Sequence, residues 1–229
     1  MNALPDLVYP LGIRQGNEEL RYSLRSAALN MPHGQVWVVG QKPARAFRDV
    51  RWIAVDEGPR KWDNLPRAIL AAAKCSDISD EFVLMNDDFF VMRPVLEPPK
   101  LHRGRTADQR RDGRYGKGYV ETDKVLAQLG VIDPLSYELH VPLLVEKASL
   151  RDALERGLAL HRGGCLHTRT LYGNLFGQSG RQAADVKVYS ERRDTWPADA
   201  TFLSTNATSW SGACGRAIRA AFTEPCRHE

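Results

Sequence analysis

Cysteine is sparse in this sequence and forms no motif: Cys75, Cys165, Cys214 and Cys226 are scattered, with no C-x-x-C pair. That excludes a zinc ribbon or a disulfide framework and reads as reduced thiols in a cytosolic protein. No window of about 18 consecutive apolar residues is present, so no transmembrane helix is available. The opening stretch, MNALPDLVYP, lacks the basic start and the long apolar run of a signal peptide, and a cytoplasmic location is expected. Wholesale disorder is excluded too, because hydrophobic residues make up 43% and charged residues 26%, which is globular usage. What remains is a chain of 229 residues, sized for a single domain that buries its own core without disulfides or a structural metal.

The formal charge of +4 is concentrated in one place. Between Lys100 and Lys117, seven Lys and Arg face two Asp, a net +5 that leaves −1 for the rest of the chain. The same segment, residues 100–119, carries Gly104, Gly113, Gly116, Gly118, Tyr115 and Tyr119. Such a composition is expected to form a mobile basic loop rather than core, able to lie on a polyanion. Arg103, Arg105, Arg110 and Arg111 are its candidate phosphate contacts, with Tyr115 as a ring to meet a base. A solvated loop without a partner is the alternative reading.

The first hundred residues alternate strand-like and helix-like patterns. Strands are expected at residues 6–11, 35–39, 50–55 and 81–85. Helices are expected at residues 18–29, with Leu20, Leu24, Ala27 and Ala28 at helical spacing and Asn17 as N-cap, and at 65–74, with Pro66 near the start. Strands separated by helices of about a dozen residues imply crossover units and a mostly parallel sheet. The second half predicts helices at 122–129, 149–160 (Ser149 as cap) and 214–222. Short strands are expected at 186–189 and 201–204, and a strand over 137–145 that Pro142 confines to an edge. The expected fold is one α/β, Rossmann-type domain with a mostly parallel central sheet flanked by helices.

Three clusters stand out chemically. Asn86-Asp87-Asp88 follows a buried strand, at the carboxyl end where open α/β sheets bind ligands. Adjacent acids there suit a hard cation such as Mg²⁺ or Mn²⁺ shared with substrate phosphates, or else a turn that bonds its own backbone. In NEELRYSLRS, Arg21 and Arg25 lie four residues apart on one helix face, as a diphosphate-binding pair or an exposed ion-paired face. His167 and Arg169 sit in a stretch flanked by Gly163-Gly164 and Gly173, expected as an active-site loop with His167 towards the acceptor.

Asp6-Leu7-Val8-Tyr9, NEELRYSLRS, the strand at 36–39, Lys61-Trp62-Asp63-Asn64 and EFVLMNDDFF closely resemble the conserved regions of the Stealth-type sugar-phosphate transferases. They also resemble the short Stealth-like bacteriophage proteins described as glycosyltransferases. His140-Val141-Pro142 is similar to the family's H-x-P segment, Arg169 to its following arginine, and FLSTNATSW…PCRHE to the phage tail. The resemblance implies a GT-A-like fold, a nucleotide-sugar donor and a divalent metal (Mn²⁺ or Mg²⁺) on Asp87 and Asp88. It implies donor-binding positions at Tyr9, Pro10, Leu11, Gly12 and Glu19, and at Arg21, Arg25, Asn64, Asn86 and Arg169. His140, or Asp88 if Asp87 alone holds the metal, is the candidate base. Residues 1–99 then form the donor half and 120–229 the acceptor half. The family's first motif continues through an aromatic and an acidic residue, where this chain has Tyr9-Pro10-Leu11-Gly12. The expected reaction is therefore glycosyl transfer to an acceptor hydroxyl, with a hydroxymethylated base in DNA, a protein or a glycan as acceptor. Sugar-1-phosphate transfer and a non-catalytic nucleic-acid-binding module are the alternatives.

Overall fold

The computed structural model describes residues 4–12, 18–42, 47–58, 61–110, 112–192 and 196–229. The sheet begins with β1 (Asp6–Leu11), followed by helix α1 (Glu18–Asn30), β2 (Val36–Gly40) and β3 (Val50–Ala54). Helix α2 (Lys61–Lys74) then leads to β4 (Glu81–Leu84). These four strands run parallel in the order β3-β2-β1-β4. The order reverses between β1 and β4, which makes their carboxyl ends the topological switch point. After the short β5 (Phe89–Val91) and β6 (Leu101–His102) come helix α3 (Arg114–Gln128) and β7 (Leu143–Glu146), which closes the far edge antiparallel to β4. Pro142 stands just before this edge strand, which is shorter than the expected 137–145 because the preceding residues leave the sheet.

Alternation along the strands divides the core into two layers. Leu7, Tyr9, Leu11, Val36 and Val38 face α1, while Val8, Trp37 and Val39 face α2, α4 (Lys147–Leu160) and α5 (Thr168–Leu175). Helix α4 starts earlier than the sequence pattern implies: its cap is Glu146, whose carboxylate accepts from the Ala148 and Ser149 amides. The glycine-flanked stretch expected as a loop forms α5, buried from Thr168 to Gly173. The two-residue β8 (Arg181–Gln182) pairs with β6. A last unit packs β9 (Phe202–Ser204), α6 (Ala207–Ser211) and α7 (Ala213–Ala221) behind β5. Residues 186–189 hold one bridge, Lys187 to Ser204, in place of the expected strand. No helix among the described residues is long and apolar enough to cross a membrane.

The basic segment is the largest correction to the sequence reading. Residues 100–119 contain β6, a 3-10 turn at Thr106–Gln109 and the first residues of α3, with Thr106, Gly116, Gly118 and Tyr119 buried. Gly118 serves packing: a Cβ there would lie 2.9 Å from the Cys165 side chain and carbonyl and 2.9 Å from His167 Nε2. Without that Cβ, α3 lies directly on the 165–167 strip.

Candidate functional site

A cleft of about 700 Å³ opens at the switch point, within the usual size of a small-molecule site. Pro10, Leu11 and Gly12 line it from the end of β1, Gly40 from β2, Asp56, Glu57 and Gly58 from beyond β3, and Asn64 from α2. Gly40 has φ 123°, and a Cβ there would run into the Leu11 carbonyl, so this position admits glycine alone. Asn64 Oδ1 accepts from the Gly58 amide at 2.9 Å, which fixes the turn beyond β3. Asn86 and Asp87 enter from the end of β4, and Tyr115, Glu138, His140, His167 and Arg169 complete the wall. Among the described lining, four carboxylates (Asp56, Glu57, Asp87, Glu138) face one guanidinium, Arg169. Asp56 and Glu57 follow the strand-end rule that singled out Asn86-Asp87-Asp88, and the same rule finds them.

The two consecutive acids point to different places. Both are buried, but Asp87 lines the cleft, whereas Asp88 Oδ2 accepts from Lys187 Nζ at 2.5 Å. Asp88 Oδ1 is buried and has no hydrogen-bond partner among the described residues. Asp87, the acid of this pair that lines the cleft, fits a hard cation that takes one protein carboxylate and completes its shell from a diphosphate and water. No cluster of three or more His, Cys, Asp or Glu among the described residues is placed to hold a metal by itself.

His140 is held from several sides. Its backbone N–H and its Nδ1–H both donate to Asp185, at 3.0 Å and 2.8 Å. Its ring meets Phe89 edge-on with centroids 5.9 Å apart. Arg169 clamps its neighbours: Nη1 donates to the Leu139 and Val141 carbonyls at 3.1 Å and 2.6 Å, and Nη2 to the Leu84 carbonyl at 3.1 Å. Burial draws the Arg169 pKa below the ordinary guanidinium value. With three N–H groups committed to the backbone, Arg169 joins the end of β4 to the His140 segment rather than presenting an open fork to phosphate. His167 is buried, donates from Nε2 to the Tyr115 carbonyl at 3.0 Å, and packs 4.1 Å from the Tyr119 ring centroid.

Several expected site residues lie elsewhere. Tyr9 is buried beneath the cleft, its hydroxyl 3.3 Å from Ser23 Oγ, because alternation turns it towards α1. Glu19 accepts from Thr205 Oγ1 at 2.7 Å. Arg21 and Arg25 both bond the Glu229 side chain, and Arg25 Nη1 also donates to the Phe222 and Thr223 carbonyls, each at 2.8 Å. The pair anchors the C-terminal tail on α1, and neither residue is in the cleft lining. Arg103 lies 3.6 Å from Asp185, Arg105 2.7 Å from Asp133 and Arg110 2.7 Å from Asp123. Arg111 and Asn17 are outside the described residues. Asp185 and Lys187 went unnoticed in the sequence, since their partners are 45 and 99 residues away.

No protein-family model matches the chain, and no curated protein matches it. Solved structures do match. The galactosyltransferase LgtC in complex with donor and acceptor sugar analogs shares 12% identity over 96% of each chain, with a TM-score of 0.57. An active-site mutant of LgtC gives 12% over 94% of each chain and the same TM-score of 0.57. At that identity the likeness is one of fold: the chain has an α/β, GT-A-like glycosyltransferase fold with a mostly parallel central sheet flanked by helices.

Proposed function

We propose that the chain is a glycosyltransferase that moves a sugar from a nucleotide-sugar donor to an acceptor hydroxyl. The observation that carries this reading is the meeting of Asp87 and His140 in one cleft at the switch point of a GT-A-like sheet. The motif likeness to Stealth-like bacteriophage glycosyltransferases supports it. Residues 1–99 supply the donor side through Pro10, Leu11, Gly12, Asn64 and Asn86, and residues 120–229 supply His140 and His167 on the acceptor side.

The acidity of the described cleft lining supports metal dependence, since a nucleoside diphosphate beside its four carboxylates needs a counter-charge. Asp87 would hold Mg²⁺ or Mn²⁺, which when bound would neutralise charge on the departing diphosphate. The chain's own residues position the reactants: Arg169 fixes the backbone on both sides of His140, and Tyr115 and His167 shape the acceptor wall. Charge alone overstates the case for a DNA acceptor, because Arg103, Arg105 and Arg110 are each paired to an aspartate of this chain.

The test is incubation of the full chain with a panel of nucleotide sugars, with Mn²⁺ or with chelator. Acceptors are hydroxymethylated DNA, oligosaccharides or protein, and products are read by mass spectrometry. Release of nucleoside diphosphate and glycosylated acceptor is expected. Release of nucleoside monophosphate indicates sugar-1-phosphate transfer instead, and no turnover of any donor overturns the reading.

A further inference from the structure

The geometry points to Asp185 as the residue that positions His140 and selects its tautomer, leaving Nε2 as the proton acceptor in the cleft. This inference rests on the transferase reading above. Asp185 is bonded twice to one residue, at the His140 backbone N–H (3.0 Å) and at ring Nδ1 (2.8 Å), so it fixes the main chain and the ring together. An ionised carboxylate only accepts, so the proton of a neutral imidazole must sit on Nδ1 and the lone pair on Nε2. Among the described residues Nε2 has no hydrogen-bond partner, and His140 lines the cleft.

Asp185 is suited to that task. Its side chain is 12% exposed, and Arg103 Nη1 lies 3.6 Å from the oxygen that His140 bonds. Burial by itself raises the Asp185 pKa, but the bonds from His140 and the charge of Arg103 outweigh it and hold the carboxyl below its usual range. The Arg169 clamp on the Leu139 and Val141 carbonyls prevents the segment from following a rotating ring. A nucleophile-base-orienter arrangement is thus complete once an acceptor hydroxyl is added.

The step balances as follows. The acceptor O–H proton passes to His140 Nε2 while the acceptor oxygen bonds the anomeric carbon. The bond from that carbon to the diphosphate oxygen breaks, and its electron pair leaves with the nucleoside diphosphate. The imidazolium so formed stays bonded to Asp185, whose negative charge offsets it.

The experiment uses the full chain labelled with ¹⁵N-histidine, with His140 assigned by the signal lost in His140→Gln. Long-range ¹H–¹⁵N spectra of the parent are expected to show the Nδ1–H form. Asp185→Ala, or the isosteric Asp185→Asn if the alanine variant does not fold, is expected to bring in the Nε2–H form. Turnover should fall about 100-fold or more, in the range of general-base catalysis, with the donor KM unchanged. An Nε2–H ring in the parent, or a tautomer indifferent to both substitutions in a chain that transfers sugar, overturns the positioning role alone. A tautomer that responds as expected in a chain that turns over no nucleotide sugar supports the pair and removes the transferase reading.

Discussion

Lys187 Nζ lies 2.5 Å from Asp88 Oδ2, with the two side chains 13% and 8% exposed. The residue next in sequence, Asp87, lines the cleft instead. Lys187 in turn bridges to Ser204, and Phe89 pairs with the same Ser204 in the two-stranded sheet. The acidic corner is therefore one carboxylate that lines the cleft, and a second that fastens the turn to the C-terminal unit.

This division predicts unequal consequences for two adjacent substitutions. Asp88→Ala leaves the Lys187 ammonium buried without its partner and should cost about 3–5 kcal/mol. Asp87→Asn should cost distinctly less while abolishing metal-dependent turnover of the donor. Denaturant unfolding and donor hydrolysis, measured on both variants, check the pair of expectations; equal stability losses would remove the distinction.

The tail anchor predicts an acid-sensitive contribution to stability. Burial raises the Glu229 pKa, but the hydrogen bonds from Arg25 and Arg21 outweigh it and bring the carboxyl from 4.5 down to about 2. A carboxyl whose folded pKa is depressed contributes stability that is complete above its unfolded pKa and is lost as pH falls towards the folded value. Between pH 4.5 and about 2 the parent should lose more stability than Glu229→Gln. Urea melts across that range test this, and parallel curves would contradict it. Donor affinity should be the same in both proteins, because neither arginine lines the cleft.

Gly118→Ala sets two effects against each other. Alanine in place of glycine favours a helix by roughly 1 kcal/mol. The added Cβ, however, would sit 2.9 Å from the Cys165 carbonyl and from His167 Nε2. Overpacking of this kind costs about 1–3 kcal/mol, so the variant should be less stable than the parent. Displacing His167 should also loosen its bond to the Tyr115 carbonyl, 3.0 Å in the parent. A thermal melt is sufficient, and a higher midpoint would show that α3 has room to move.

Helix α1 shows how a correct local reading led to a different role. Its apolar spacing was legible, and Leu20, Leu24 and Ala27 are buried as expected. Its arginines read as phosphate ligands, yet the polar face of this helix braces β5. Ser23 Oγ donates to the Phe89 carbonyl at 2.5 Å, Ser26 Oγ accepts from the Val91 amide at 3.0 Å, and Asn30 Nδ2 donates to the Val91 carbonyl at 2.7 Å. The motif thus supports the strand that follows the acidic turn, holding the site from behind without entering it.

The alternation of strands and helices, the parallel sheet and the acidic turn at the end of β4 were all written into local periodicity. Burial of one face imposes a repeat of 2 or 3.6 residues that a linear sequence displays. Tertiary structure alone decided the partners of the charges. Arg25 meets Glu229, Asp88 meets Lys187 and His140 meets Asp185 across 204, 99 and 45 residues, and no local pattern records such distances. It also decided the fate of residues 100–119. Glycine looks the same in sequence whether it frees the backbone or lets a helix approach closely, and in α3 the second use prevailed because the 165–167 strip leaves no space for a Cβ at Gly118.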